Sequence, residues 1–271
     1  MSIITHRGGL FLGRQSDTIV HTGLIGNFIP TAGIETLYWD NQVSSGLNLR
    51  RFNGVTHSTT DPDHFLLDGT DDYLGMAGGA GYGGDPLEIG GDTRPFALGQ
   101  WFKYNNVNHY IFYVGTDAYV SLADPPAGEY SYVLLEVLTS NDQCKLTLRP
   151  PYDGSTRSVT ATFSNFTFVD DTWYYVMLSH DGANDYSVYV NGSFIGSITS
   201  TYALSYSSGT NAVECGAKNI GGSKSYSGAG TKIGHVHVYE NAYLTGSQVR
   251  QNFLASHDIH DGRIYGATYG A

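Results

Sequence analysis

Cysteine is almost missing: Cys144 and Cys215 are the only two in 271 residues. Two thiols cannot frame a disulfide-stapled fold, so the expected state is a reduced, buried pair. Positive charge is scarce as well, with 14 lysines and arginines against 25 acids and a net charge of −11. Phosphate binding needs clustered basic side chains, which excludes nucleic acid as the main partner. No apolar run approaches the length of a membrane span, so no membrane partner is expected. The start, MSIITHRGGLFLG, has no cationic region followed by a long apolar stretch, and no secretion signal is read there. Glutamate is rare too, at Glu35, Glu88, Glu129, Glu136, Glu214 and Glu240 alone. The acidity is therefore mostly aspartate, a residue of turns and caps.

What the chain does have is glycine and tyrosine, 35 and 21 residues, with only 14% charged residues. That composition describes a turn-rich β protein, not an amphipathic helical one. Within WYYVMLSHDGANDYSVYVNGSFIGSI (173–198), Tyr174, Val176 and Leu178 alternate with Tyr175, Met177 and Ser179, the period of a strand. Asp181-Gly182 and Asn191-Gly192 supply turn pairs that tolerate positive φ, and Asn-Gly between alternating apolar runs predicts a hairpin. The same grammar recurs at 64–76 (strand, acidic turn, strand), 94–104, 109–115, 130–139, 143–149, 157–163 and 232–240. Ser140-Asn141-Asp142 joins two of these as another hairpin. Short strands at turn-sized spacing predict an all-β fold, a two-sheet antiparallel sandwich.

One helix is predicted. Thr245-Gly246-Ser247-Gln248 fits a capping box, in which the threonine hydroxyl and glutamine amide each satisfy a free backbone N–H. Val249 and Phe253 then share a face, and the helix ends near His257. Residues 1–20 show no clean period and read as an N-terminal arm, with Arg7 and Arg14 as its candidate docking residues. Residues 21–271 form the sandwich domain.

FLLDGTDDYLG, PFALGQWFK, DTWYYVMLSHDG, YSVYVNGSFIGS and IGHVHVYENAYLTGSQVRQNF, in this order over 65–253, resemble the concanavalin A-like lectin/glucanase superfamily in its laminin-G-like, pentraxin-like branch. LIGNFIP (24–30), TLYWDNQVSSGLNLRRFNGV (36–55) and QVRQNFLASHDIHDGRIYG resemble bacteriophage versions, the last with SHDIHD inserted. The resemblance implies a jelly roll with one short C-terminal helix and suits a virion protein. It does not imply sugar binding, since fold alone does not fix function.

Related glucanases place two carboxylates two positions apart on one strand, within Glu-x-Asp-x-x-Glu, so that one acts as acid. No glutamate here sits in such a pattern. Glu136 alone lies inside a predicted strand, without an acidic residue two positions away, and no catalytic residue is assigned. Asp68, Asp71 and Asp72 crowd one turn and are candidate calcium ligands; the plainer reading is a turn whose acids face water or cap N–H groups. No other cofactor is expected. His235 and His237 share one strand face and are candidate zinc ligands if a third ligand approaches; the alternative is an exposed polar face. His257 and His260, with Asp258 and Asp261, form a second candidate cluster. GGAGYGG (78–84) satisfies G-x-G-x-x-G formally, but DPLEIGG follows where a helix is required. Tyr82, Tyr104, Tyr119, Tyr202, Tyr206 and Tyr226 sit in polar loop contexts and are candidate glycan or protein contacts, an interface being favoured.

The expected function is a non-enzymatic virion structural protein, a capsid decoration or knob module made in the host cytoplasm. Its expected partner is the major capsid protein or another virion protein, and a homotrimer suits a capsid three-fold position. The alternatives are a carbohydrate-binding tail-fibre or host-adhesion module contacting a cell-surface glycan, and, third, a glycoside hydrolase.

Overall fold

The structure is a computed structural model that describes residues 18–35, 37–43, 48–60, 62–77, 94–116, 132–149, 158–200, 211–220 and 223–260. In chain order the strands are β1 (Leu24–Phe28), β2 (Tyr38–Trp39), β3 (Leu49–Phe52), β4 (Thr56–Ser58), β5 (His64–Leu66), β6 (Tyr73–Ala77), β7 (Phe96–Tyr104), β8 (His109–Thr116) and β9 (Tyr132–Leu138). They continue as β10 (Gln143–Arg149), β11 (Val159–Phe163), β12 (Thr172–His180), β13 (Asp185–Val190), β14 (Ser193–Thr199), β15 (Asn211–Cys215), β16 (Ala217–Ile220), β17 (Ser223–Tyr226) and β18 (Lys232–Glu240). One helix, α1 (Gly246–His260), follows.

Two antiparallel sheets result, as the alternating pattern requires. Sheet A runs β14-β13-β12-β7-β18-β5-β4, with β1 added beside β18, and sheet B runs β11-β10-β9-β8-β15-β6-β3-β2. The β16–β17 hairpin stands apart from both. The turn residues read from the sequence close their hairpins: Asp142, between β9 and β10, has φ 53°, while Asn191 and Gly192 have φ 49° and 77°. That geometry suits the right-handed twist of the flanking strands.

Alternation sends one set of side chains between the sheets. Phe28, Trp39, Phe65, Phe96, Phe102, Phe112 and Leu135 are fully buried there. Trp39 packs against Phe28 and Phe65 with ring centroids 5.7 and 4.5 Å away, and its indole N–H donates to the Ile29 carbonyl. Each such side chain contributes roughly 1.5–3 kcal/mol by leaving water. Cys144 and Cys215 are buried here as free thiols, with burial pushing both well above the usual thiol range.

The opposite face of sheet A carries a second core. Ala97, Trp101, Trp173, Tyr175, Met177 and Tyr239 are covered by Leu24, Leu244, Val249 and Phe253. Trp101 stacks on Phe253 and donates to Ser256 Oγ at 2.7 Å. The segment before β1 is held in the same layer. Val20 N donates to Asn252 Oδ1 at 2.8 Å, Tyr239 Oη donates to Val20 O, and Gln251 donates to Thr18 O. The arm read as 1–20 is thus anchored in its last residues, because Val20 is apolar and finds the gap between β18 and α1.

Two local expectations change. The strands read within 64–76 belong to different sheets, β5 to sheet A and β6 to sheet B, so their acidic turn is a crossing between layers. At the helix start only half of the capping box is present. Gln248 Oε1 accepts from Thr245 N at 2.9 Å, but the threonine hydroxyl donates to that same oxygen instead of accepting from the backbone.

Candidate functional site

On the side of sheet B turned away from the core, alternation places Tyr132, Leu134 and Glu136 of β9, Tyr110 and Tyr113 of β8, Lys145 of β10, Glu214 of β15 and Tyr73 of β6. Tyr113, Tyr132 and Leu134 form a small buried cluster with Tyr110 and Ile220 against it. The β16–β17 hairpin lies over this face and delivers two lysines. Lys218 sits 4.4 Å above the Tyr110 ring and 3.4 Å from Glu136, and Lys224 sits 3.7 Å above the Tyr73 ring and 2.7 Å from Glu214. Lys145 closes on Glu136 from the other side at 3.1 Å. Tyr73 also stacks on Phe52, which carries Arg50 at 4.8 Å, and lies 6.2 Å from Tyr226.

Each buried glutamate here is therefore neutralised by lysine. Glu136 is paired across β8 with Tyr110, whereas Glu214 is paired with Tyr113. Two strand spacings alone separate the acids by about 10 Å, before the offset along β8 is added. Glycosidase acid pairs stand roughly 5–9.5 Å apart. The geometry is that of a charge-balanced, aromatic layer packed between sheet B and the β16–β17 hairpin. Glu136→Gln would leave Lys145 and Lys218 facing one another without a counter-charge. The two lysines are 30% and 21% exposed, so the expected loss is discounted to about 1–3 kcal/mol, readable by urea unfolding. An unchanged midpoint would show that the triad contributes nothing to stability.

The acidic turn is where the sequence places it. One carboxylate oxygen from each of Asp68, Asp71 and Asp72 lies within 4.8 Å of the others. Asp68 Oδ1 accepts from Thr70 N at 2.7 Å, and Asp72 Oδ2 accepts from Asp68 N at 3.0 Å. Burial and the neighbouring aspartates raise the Asp72 carboxyl above the usual range.

The histidine pair is neither exposed nor set up for zinc. His235 and His237 are 1% and 0% exposed, and their rings lie 4.2 Å apart. His235 Nε2 bonds Asn27 Oδ1, and His237 Nδ1 bonds Tyr175 Oη at 2.9 Å. Among the described residues no third imidazole, thiol or carboxylate joins them. They are buried because β1 lies against this part of β18, which strand alternation alone does not reveal. Burial pushes His237 down to about 3. His257 packs its ring against Phe253 and Trp101. The side chains of Asp258 and His260, like residue Asp261, lie outside the described part.

The tyrosines divide. Tyr104 ends β7, is 1% exposed, and donates to Asp142, so it is a core residue and not a surface contact; the polar Asn105-Asn106 after it masked the strand. Tyr226 is half-buried beside Tyr73. Tyr82, Tyr119, Tyr202 and Tyr206 lie outside the described residues, as do Arg7 and Arg14. Sequence reasoning missed Lys145, Lys218 and Lys224. The first was readable, because the 140–142 hairpin sets Lys145 opposite Glu136. The other two come from a hairpin without apolar alternation.

A family profile described as the concanavalin A-like lectin/glucanases superfamily matches residues 68–250. No curated protein matches the sequence. Among solved structures, a binding domain of botulinum neurotoxin DC in complex with SialylT is similar at TM-score 0.56 and 10% identity, over 85% of this chain and 51% of that one. The serotype G botulinum neurotoxin binding domain gives 0.57 and 13%, over 85% and 50%. Trypanosoma rangeli sialidase, in complex with the inhibitor DANA, gives 0.58 and 14%, over 89% and 34%. The chain thus spans about half the length of the toxin domains and a third of the sialidase, and at these identities the likeness is one of fold.

Proposed function

Since the chain belongs to the concanavalin A-like lectin/glucanase superfamily, we propose that it is a non-enzymatic virion structural protein, a jelly-roll module displayed on a phage capsid as a decoration or knob. The observation that carries this reading is the locking of both buried glutamates of sheet B by lysines, where a hydrolase would keep a free acid and base. The segments that resemble phage versions support the particle context. The lead-in strand β1 extends sheet A, and helix α1, packed on the outer side of that sheet, holds Thr18 and Val20. An arm beginning there is tethered at a defined point of the sandwich, suited to ordering on a capsid lattice.

The test is to locate the chain on purified particles by electron cryo-microscopy. Density for the sandwich on the capsid is the expected result; absence from particles would overturn the reading. Deleting residues 1–17 is expected to leave the melting temperature unchanged and abolish particle attachment.

A carbohydrate-binding role has its own support in the half-buried Tyr110 and Tyr226, which lie among the lysines on the outer side of sheet B, since aromatic rings beside polar groups suit sugars. A glycan array with and without calcium separates the two. A saturable hit weakened by Tyr110→Ala would move the function to host adhesion.

A further inference from the structure

We infer that the outer margin of sheet A, where β14 and α1 meet, is an interface to a second copy of this chain. Apolar side chains left in water singly need no explanation, but contiguous ones do. Among the described residues five large apolar side chains are exposed, and three of them, Phe194, Tyr243 and Leu254, gather here. Tyr189 links them on the sheet. Its ring meets Phe194 edge-on at 5.6 Å, and it shares a side-chain hydrogen bond with Tyr243. Arg250 of α1 lies against the Asn191-Gly192 turn that opens β14, so close that a Cβ on Gly192 would lie 3.0 Å from its Cα. Leu254 follows one turn later on the same side of α1. Aromatic side chains around an arginine are the composition in which interfaces are enriched.

Charge selects the second copy as the occupant. β14 itself carries none. At its first end stands Arg250, exposed and without an ion pair among the described residues. At its last end stands Asp185, also exposed, opposite Thr199 in the register and accepting from its hydroxyl at 2.6 Å. Asp185 is on the same face of β13 as Tyr189, four positions on, so it shares the outer face with the apolar patch. A two-fold axis through the middle of β14 turns one end of the strand onto the other. Arg250 then meets the partner's Asp185, and the reciprocal pair forms as well, with the Phe194 rings near the axis. Two opposite-charge pairs at the contact offset the repulsion between molecules that each carry a net charge of −11. The contact is made by side chains. The register shift at Val188–Tyr189 interrupts the row of backbone groups that joining the two sheets edge to edge would need. The symmetry is two-fold, unlike the homotrimer that a capsid three-fold position suits.

Sedimentation equilibrium of the full chain tests this. A patch of this size is at the low end of specific interfaces, so a dimer with a Kd of about 10–100 μM is expected. Phe194→Asp sets two acids together near the axis and is expected to leave a monomer even at about 200 μM. Arg250→Asp is expected to weaken the dimer about tenfold or more, and Asp185→Arg added to the same chain is expected to restore it. All these positions are exposed, and each variant is expected to melt within about 2 °C of the parent, which separates a lost contact from a lost fold. A parent chain that stays monomeric, or forms a trimer, would overturn the interface. So would an Arg250→Asp chain that the second substitution fails to rescue. If the parent were monomeric and Phe194→Asp abolished particle attachment, the patch would belong to another virion protein and not to a second copy.

Discussion

Lowering the pH from 7.5 to 5 is expected to remove roughly 4 kcal/mol of folding stability, about 2 kcal/mol for each of two histidines. His109 is buried between Phe102 and Tyr104 with both ring nitrogens lacking a partner, and His237 is buried against Tyr175 and His235. Burial pushes each down to about 3, whereas in the unfolded chain each titrates near the ordinary value of 6.5. Below pH 6.5 the unfolded chain therefore binds protons that the folded chain refuses. Stability rises with pH between about 3 and 6.5, and it is lost as pH falls through that window. His64 and His180 are also lowered by burial and add in the same sense, while Asp72, raised by burial, opposes them as a single group. Urea unfolding at both pH values reads the effect. His109→Phe, which keeps an aromatic ring between Phe102 and Tyr104, is expected to remove about half of the two-histidine loss. A midpoint flat from pH 7.5 to 5 would contradict both assignments of a buried neutral ring.

Trp101→Ala is expected to cost about 3–5 kcal/mol, which for a chain of this size lowers the melting temperature by roughly 6–20 °C. The indole is fully buried on the outer side of β7, tilted against Tyr175 and stacked on Phe253. Its N–H donates to Ser256 Oγ, which in turn donates to the Asn252 carbonyl. Asn252 holds Val20 N, so the ring supports both the helix and the segment before β1. Early proteolytic cleavage within α1 is expected along with the thermal shift. Trp101→Phe, which keeps most of the apolar contact and loses the indole hydrogen bond, is expected to cost about 1 kcal/mol. A loss below that for the alanine variant would show that the helix is held by other contacts.

The hairpins were readable because Asp181-Gly182, Asn191-Gly192 and Asn141-Asp142 combine turn chemistry with alternation, and both signals are local. The helix was readable from Thr245, Gln248, Val249 and Phe253 for the same reason. Local signals cannot say which layer a strand joins. The acids of 68–72 looked like one turn between neighbours, yet Leu66 and Tyr73 lie in different sheets. Nor can alternation show that a polar strand face will be covered. His235 and His237 looked exposed because the residues that pack against them, Asn27 of β1 and Tyr175 of β12, are distant in sequence. Tyr104 was misread because the loop after it outweighed the strand before it. Of the sheet B surface, Glu136 and Tyr226 were visible, but the lysines that neutralise the glutamates arrive from a hairpin of polar residues whose docking is purely tertiary.

The position of β18 bears on how the molecule is made. Lys232–Glu240 sits in the middle of sheet A, with β7 along one edge and β5 and β1 end to end along the other. During synthesis the chain emerges from its amino end, so the strands flanking that position wait with an unfilled slot until residues 232–240 have left the ribosome. A nascent or prematurely terminated chain lacking 232–240 would show two unpaired apolar edges, a template for joining other chains. High-level production should therefore benefit from slower translation or a chaperone that shields β7 until its neighbour arrives.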